Sequence, residues 1–232
     1  MRYTGYMSGV SLTQPLLFDQ LDTATGTVEL FPAVWRAAEE LSSPDAATRH
    51  DALDRLVELD APRLSPLVAY VLVTRIIDPD IELRLRVVSI LGKILSLKGE
   101  GKDTPESVRQ HLKGYLSLMS HRGLLPVLEV AEKYPSSESD VAALLNACSH
   151  AGTLLADMVV DRRAPMGMRR QAVNFIGQVG FLNAIPALER LAERLETRMS
   201  GQKSMPFAPP SRSEEMTLLP AVQAALTFLR QP

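Results

Sequence analysis

From Phe31 to the carboxyl end, apolar residues recur almost continuously at the three- and four-residue spacing of an α-helix. The segments with this period lie near 32–41, 45–59, 64–76, 80–97, 105–119, 123–134, 138–149, 152–160, 166–179, 183–199 and 214–230. Aromatic residues make up only 5% of the chain, and strands rich in Val, Ile, Tyr and Phe are not evident. The sequence therefore predicts an all-α fold whose core consists of Leu, Ala and other aliphatic side chains.

Short polar residues and prolines mark the starts of three of these helices. Ser43-Pro44-Asp45 and Asp78-Pro79-Asp80 each precede an apolar run, and Thr104-Pro105-Glu106 follows the same pattern. A short polar side chain can accept from the free N–H groups at a helix start, and a proline in the first turn loses no hydrogen bond. These tripeptides indicate where the three helices begin.

An internal repeat is visible when segments 43–59, 78–94 and 164–178 are aligned. The coinciding positions are Pro44 with Pro79, Asp45 with Asp80, Arg49 with Arg84 and Arg169, Ala52 with Val87 and Ala172, Leu53 with Val88 and Val173, Leu56 with Leu91 and Ile176, and Gly92 with Gly177. Helices that open with a proline also recur, because Pro66, Pro126 and Pro186 lie 60 residues apart. The predicted unit is a helix, a tight turn and a second helix, and such hairpins bury their apolar faces by stacking.

This pattern resembles HEAT repeats, especially the short bacterial phycobilisome-lyase HEAT-like type, and the best match is MRRQAVNFIGQVGFLNAIPALERL at 168–191. Segment 105–160 lacks the Asp/Arg signature and is helical by periodicity alone. The resemblance implies a right-handed α–α superhelix of HEAT-like hairpins with about 10–11 helices. We call the aligned positions of the repeat the repeat frame. The resemblance also implies that the aspartates and arginines of the repeat frame hold adjacent repeats together. It says little about function, because the shared residues are packing residues.

The predicted domain organisation is an irregular segment over 1–30 followed by one HEAT-like solenoid over 31–232. Loops are expected near 97–105, which is rich in glycine and charge, and near 199–213, which is rich in proline. The second loop is either a simple connector or a docking segment. The amino terminus lacks the apolar stretch of a signal peptide, and the longest apolar run is too short to cross a membrane. We expect a cytoplasmic protein without membrane contact.

No nucleotide-binding, metal-binding or hydrolase motif occurs in the sequence. Cys148 is the only cysteine, which excludes an intramolecular disulfide and a thiolate metal cluster within the chain. The favoured interpretation of Cys148, near His150, is a buried structural residue rather than a nucleophile. Asp51, Asp54, Glu58 and Asp60 are interpreted as an ion-paired surface rather than a metal site. We therefore predict no enzyme activity, no cofactor and no metal.

The candidate binding residues are arginines near the carboxyl end, where residues 161–212 carry a net charge of +5 although the whole chain has −2. Arg190, Arg194 and Arg198 follow one another at four-residue spacing, so they share one flank of helix 183–199. Like charges at this spacing repel slightly, which makes the row costly without a partner. We expect these three arginines, with Arg169 and Arg170, to contact an acidic partner segment. The alternative is a solvated row that pairs with the next helix.

Three functions remain open at this point. The first is a non-catalytic scaffold or adaptor that binds a protein partner on the concave face of the solenoid. The second, which the resemblance suggests, is a bilin-lyase-like or other chromophore-handling protein, although no catalytic residue carries over. The third is a HEAT-like DNA-binding or glycosylase protein, which ranks last because the chain has no net basic charge and a single tryptophan, Trp35. The sequence does not specify an oligomeric state.

Overall fold

The computed structural model describes Glu29 and residues 31–96, 103–203 and 214–231. All regular secondary structure in these ranges is helical, which confirms the predicted all-α class. The twelve α-helices of the described ranges are α1 (Pro32–Glu40), α2 (Ala46–Glu58), α3 (Ala61–Leu64), α4 (Pro66–Thr74), α5 (Ile81–Leu95), α6 (Glu106–Ser117), α7 (His121–Lys133), α8 (Glu138–Ala147), α9 (Ala151–Val160), α10 (Met166–Val179), α11 (Ile185–Lys203) and α12 (Leu219–Arg230).

Every helical segment that periodicity predicts corresponds to one of these helices, and α10 has the predicted bounds. The additional helix is α3, a single turn that follows Asp60, whose φ of 53° lies in the left-handed region. The loop predicted near 199–213 starts later than expected, because α11 continues to Lys203. The predicted irregular segment 1–30, apart from Glu29, and the loop residues 97–102 and 204–213 lie outside the described residues.

The predicted helix starts agree with the hydrogen bonds at the first turns. The Asp45 carboxylate accepts from the Thr48 N–H at 2.8 Å, and the Asp80 carboxylate accepts from the Glu82 N–H at 2.9 Å. At the start of α6 no side-chain cap is present, and Pro105 occupies the capping position. Two of the three tripeptides therefore act through an aspartate cap. The expected proline in the first turn is not found, because in all three the proline precedes the first helical residue.

The helices from α5 onward pack as two series. In one series α5 packs against α8, α8 against α10, and α10 against α12; in the other, α7 packs against α9, and α9 against α11. The core lies between them and is built from Leu, Val, Ala and Ile side chains, with Phe175 as its largest fully buried residue. In the amino-terminal part, α1 packs on α2, and α4 packs on α5 and α6.

Helices α10 and α11 were predicted to form one hairpin, and the packing is different. The closest neighbours of α10 are α9 and α12, and α11 packs mainly on α12 and also on α9. The connection explains this, because the 3₁₀ turn Leu182–Ala184 lies against α9, where the Asn183 amide donates to the Thr153 hydroxyl at 3.2 Å. The adjacent antiparallel pairs are therefore α9 with α10 and α11 with α12.

A buried arginine occupies the fourth residue of four helices: Arg49 in α2, Arg84 in α5, Arg109 in α6 and Arg169 in α10. Helical side chains lean toward the amino end of their helix, so a guanidinium at this position reaches the chain that precedes the helix. Arg49 donates to the carbonyls of Ser43 and Pro44, and Arg109 donates to that of Thr104. Arg109 belongs to the segment that showed no signature in the sequence, yet it occupies the same position as the other three.

These arginines also join segments that are distant in sequence. Arg49 donates to the buried Asp78 carboxylate at 3.0 Å, and Arg84 donates to Glu129 at 2.7 Å. Arg109 donates to the carbonyl of Ile94, in the last turn of α5, where helical carbonyls lack partners of their own. Both side chains of the Arg49–Asp78 pair are buried, and removing one partner of such a pair costs about 3–5 kcal/mol. The contacts of Arg84 and Arg109 likewise join helices, although Glu129 is half exposed and Ile94 contributes a backbone carbonyl.

Two glycines of the repeat frame lie at close contacts between helices. A Cβ on Gly92 of α5 would lie 2.8 Å from the Cα of Asp140 in α8, and a Cβ on Gly177 of α10 would lie 3.1 Å from the Cα of Ala225 in α12. Gly92 and Gly177 hold the same frame position, and their contacts, α5 with α8 and α10 with α12, belong to the same series. The glycine of the frame therefore has the same packing role in both units.

No single helix in the described ranges is both long and apolar enough to cross a lipid bilayer. The consecutive segments Pro135–Ala147 and Ala151–Val160 reach the required length and composition together, but the pair is bent by 114°.

The Gly92→Ala variant should lose about 1–3 kcal/mol of unfolding free energy, because the added methyl group overpacks the contact with Asp140. Gly114→Ala is the matched control, since a Cβ at this position of α6 meets no atom within 4 Å. It should gain about 0.5–1 kcal/mol from helix propensity alone. Urea unfolding followed by circular dichroism measures both, and equal effects of the two substitutions would contradict the close approach of α5 and α8.

Candidate functional site

A single buried carboxylate collects arginines near the carboxyl end of the described chain. Glu215 lies in the 3₁₀ turn Glu214–Leu218, which leads into α12 and packs against α10. The residue is 7% exposed. Four arginines of the described ranges come within 3.8 Å of its carboxylate oxygens, and with Glu215 they form what we call the Glu215 cluster: Arg162, Arg169, Arg194 and Arg198.

Arg169 forms the inner side of the Glu215 cluster and is itself buried. Its Nε donates to the carbonyl of Val159 at 2.9 Å, near the carboxyl end of α9, and a terminal nitrogen donates to Glu215 Oε1 at 3.0 Å. Arg169 thus ties α9 and α10 to the turn before α12. A side chain held in this way braces the fold, as the resemblance implied, and it does not reach a partner at the surface.

Helix α11 supplies the outer side of the cluster. Arg194 donates to Glu215 Oε1 at 2.8 Å, and Arg198 donates to Oε2 at 2.8 Å. The two residues are four apart, so they project from the same flank of the helix and can grip the two oxygens of one carboxylate. The predicted row of arginines exists, and an acidic group of the chain itself occupies this part of it.

The other two candidate arginines lie outside the cluster and are exposed. Arg190, one turn before Arg194, donates from Nε to the carbonyl of Pro186 in its own helix at 3.1 Å. Arg170 follows the buried Arg169 on α10 and faces solvent. Their predicted contact with a partner stays a prediction.

Sequence reasoning missed two members of the cluster, Glu215 and Arg162. Arg162 lies between α9 and α10, and its Nε is 3.8 Å from Glu215 Oε1. Each residue has a neighbour of the same type, Glu214 and Arg163, so the local sequence does not indicate which of the two points inward. The sequence offered one indication that Glu215 could meet the arginines of α11. Glu215 lies in the segment that leads into the next predicted helix, and that helix was a candidate to pack beside α11.

Glu215 is held in its ionised form. Burial raises the pKa of Glu215, but the hydrogen bond from Arg169 and the charges of Arg194, Arg169 and Arg162 lower it by more. The net pKa lies below the usual value of a glutamate. At neutral pH the cluster therefore contains one negative charge among four positive ones.

The positive charge that remains is accessible at one edge of the cluster. The exposed fraction of the side chain is 56% for Arg162, 42% for Arg198 and 35% for Arg194, against 3% for Arg169. We call the three accessible residues the arginine rim. The rim thus holds accessible guanidinium donors that Glu215, with two oxygens, does not satisfy.

A second polar cluster joins α2 to α5. His50 Nε2 lies 2.8 Å from an oxygen of Asp80, and Arg86 bonds both His50 Nδ1 and the Asp54 carboxylate. The pKa of Asp80 is lowered, mainly by its hydrogen bond with His50. All four side chains have partners within the cluster, which makes it a brace between two helices rather than a free acid or base.

Two other features bear on the chemistry expected from the sequence. Cys148 is 1% exposed, and its Sγ lies 3.9 Å from the carbonyl oxygen of Met119, which places the thiol in the core as predicted. Within the described ranges, no three His, Cys, Asp or Glu side chains are placed so that they could hold a metal ion.

Comparisons with protein-family models, with curated proteins and with solved structures find no match to this chain. The Glu215 cluster is therefore interpreted from its own geometry.

The Glu215→Gln variant should lose about 3–5 kcal/mol of unfolding free energy, because Arg169 would stay buried without its counter-charge. Chemical denaturation measures this loss. The control is Glu214→Gln, which changes the exposed neighbouring glutamate and should change the unfolding free energy little. A stability of Glu215→Gln equal to that of the wild type would show that the cluster contributes nothing to the fold.

The contribution of Glu215 should also depend on pH. Its pKa is lower in the folded chain than in the unfolded chain, so the stabilisation is present above the unfolded pKa and is lost as the pH falls through the folded pKa. The difference in unfolding free energy between wild type and Glu215→Gln should therefore shrink below about pH 4.3, the usual pKa of glutamate. A constant difference down to lower pH would contradict the assignment.

Proposed function

We propose that the protein is a non-catalytic cytoplasmic scaffold that binds an acidic segment of a protein partner. The proposed architecture is a HEAT-like right-handed superhelix, and the proposed contact surface is the arginine rim with its neighbour Arg190. The surplus of accessible guanidinium groups in the Glu215 cluster is the observation that carries this proposal.

The HEAT-like architecture is supported by residues that align in the repeat and make the same kind of contact in the structure. Arg49, Arg84 and Arg169 each bind a carboxylate from a later segment of the chain. Gly92 and Gly177 each permit a close contact with the next helix of the same series. Two series of helices, each packed in order along the chain, are the arrangement that stacked hairpins would produce.

Binding of an acidic segment is supported by the chemistry of the Glu215 cluster itself. The chain already holds one carboxylate there through three hydrogen bonds from arginines, at 2.8 to 3.0 Å. Guanidinium groups bind carboxylates well because their N–H groups match the two carboxylate oxygens. The accessible donors of the rim offer the same interaction to a carboxylate from outside.

The acidic flank of α11 is turned away from this surface. Glu189 accepts from Arg230 at 2.5 Å, and Glu196 accepts from the Gln223 amide at 2.8 Å, so both face α12. Glu189 and Glu196 therefore do not neutralise the rim. Arg190 extends the basic surface by one turn toward the start of α11, which suits an extended segment with several acidic residues.

A fluorescein-labelled hexaglutamate peptide tests this proposal directly. Fluorescence anisotropy should show binding to the wild-type protein that weakens as salt is added, because exposed charges are screened. Arg190→Gln combined with Arg198→Gln should weaken the binding about tenfold. Arg230→Gln, which removes an exposed arginine on the other side of α11, is the matched control and should leave the binding unchanged.

Melting temperatures of the variants show whether each is folded. If the rim variants bind hexaglutamate as the wild type does, or if hexalysine binds equally well, the surface does not recognise acidic segments.

A further inference from the structure

The charge and the number of donors at the arginine rim match an anion other than a carboxylate. The Glu215 cluster contains four guanidinium groups and one carboxylate, so a charge of +3 is left over. A carboxylate brings one negative charge and two oxygens in one plane. A phosphate monoester brings nearly two charges and three oxygens in a tetrahedral arrangement.

The rim has the layout that such a group needs. Arg162 approaches from the connection between α9 and α10, whereas Arg194 and Arg198 approach from α11. All three surround a single point, because each lies within 3.8 Å of the same carboxylate. Arginines that converge from two elements on one point can contact a tetrahedral anion from different directions, and Arg clusters are the usual means of recognising phosphorylated residues.

Glu215 stays in place in this arrangement. Its hydrogen bond to the buried Arg169 keeps it on the inner side, and it fixes Arg194 and Arg198 in position before any ligand arrives. Such fixed side chains lose little conformational freedom on binding, which favours affinity.

We propose that the arginine rim binds a phosphorylated serine or threonine residue within the acidic segment of the partner. This inference rests on the proposed function, since it specifies the chemistry of the same partner. A nucleic acid backbone is the less suitable ligand, because the chain has a net charge of −2 and the rim is a compact cluster rather than an extended track.

Three labelled peptides of equal length test the proposal: one with phosphoserine at the centre of four glutamates, one with glutamate in its place and one with serine. We expect the phosphoserine peptide to bind at least about tenfold more tightly than the glutamate peptide at physiological salt. Arg162→Gln and Arg198→Gln should each remove this preference. Arg122→Gln, at an exposed position on α7, should retain it.

The outcomes separate the two proposals. Equal affinity for the phosphoserine and glutamate peptides overturns the phosphate assignment and leaves the acidic-segment scaffold standing. Absence of binding by all three peptides to a folded protein overturns both. Tighter binding of a single-stranded oligonucleotide than of the phosphoserine peptide, lost in the same rim variants, assigns the rim to nucleic acid and also overturns the phosphate assignment.

Discussion

A buried guanidinium group must have acceptors, and this requirement organises the stacking of the helices. Arg49, Arg84, Arg109 and Arg169 are all buried in the first turn of a helix, where each bonds to a carbonyl or carboxylate of another segment. An unpaired charge at such a position would cost several kcal/mol, so a displaced neighbouring helix is penalised. Apolar burial supplies most of the driving force for folding, and these arginines select one arrangement among the many that an aliphatic core permits.

The candidate site is a variation of the same bracing contact. Arg49 and Arg84 each bind a carboxylate from a later segment of the chain, whereas Arg169 shares Glu215 with three more arginines. Three of these four side chains are accessible at one edge. Elsewhere the contact between an arginine and a carboxylate only joins helices, but around Glu215 it leaves positively charged arginines at the surface. The proposed function follows from this surplus of positive charge.

Periodicity, caps and the repeat frame predicted the helices well, because each depends on residues that are close in sequence. The start of α5 after Asp80 and the bounds of α10 are of this kind. Helix α3 was missed because a single turn has no measurable period. Arg109 was missed because the acceptors that join it to other segments, the carbonyls of Ile94 and Thr104, belong to the backbone and are not visible as a residue type in the sequence. The carboxylate that accepts from it, Glu106, lies in its own helix. The pairing of α10 and the identity of Glu215 depend on how distant segments pack, which local patterns do not encode.

We expect the accessible arginines around Glu215 to form one anion-binding surface and the buried arginines only to brace the fold. Nuclear magnetic resonance of the arginine Nε–H groups, with phosphoserine amino acid added in steps, distinguishes the two groups of arginines. We predict saturable shifts for Arg162, Arg194 and Arg198 with a common dissociation constant, and no shift for Arg49, Arg84 or Arg109. Shifts that do not saturate, or that appear equally on exposed arginines elsewhere such as Arg36 and Arg122, would contradict this expectation.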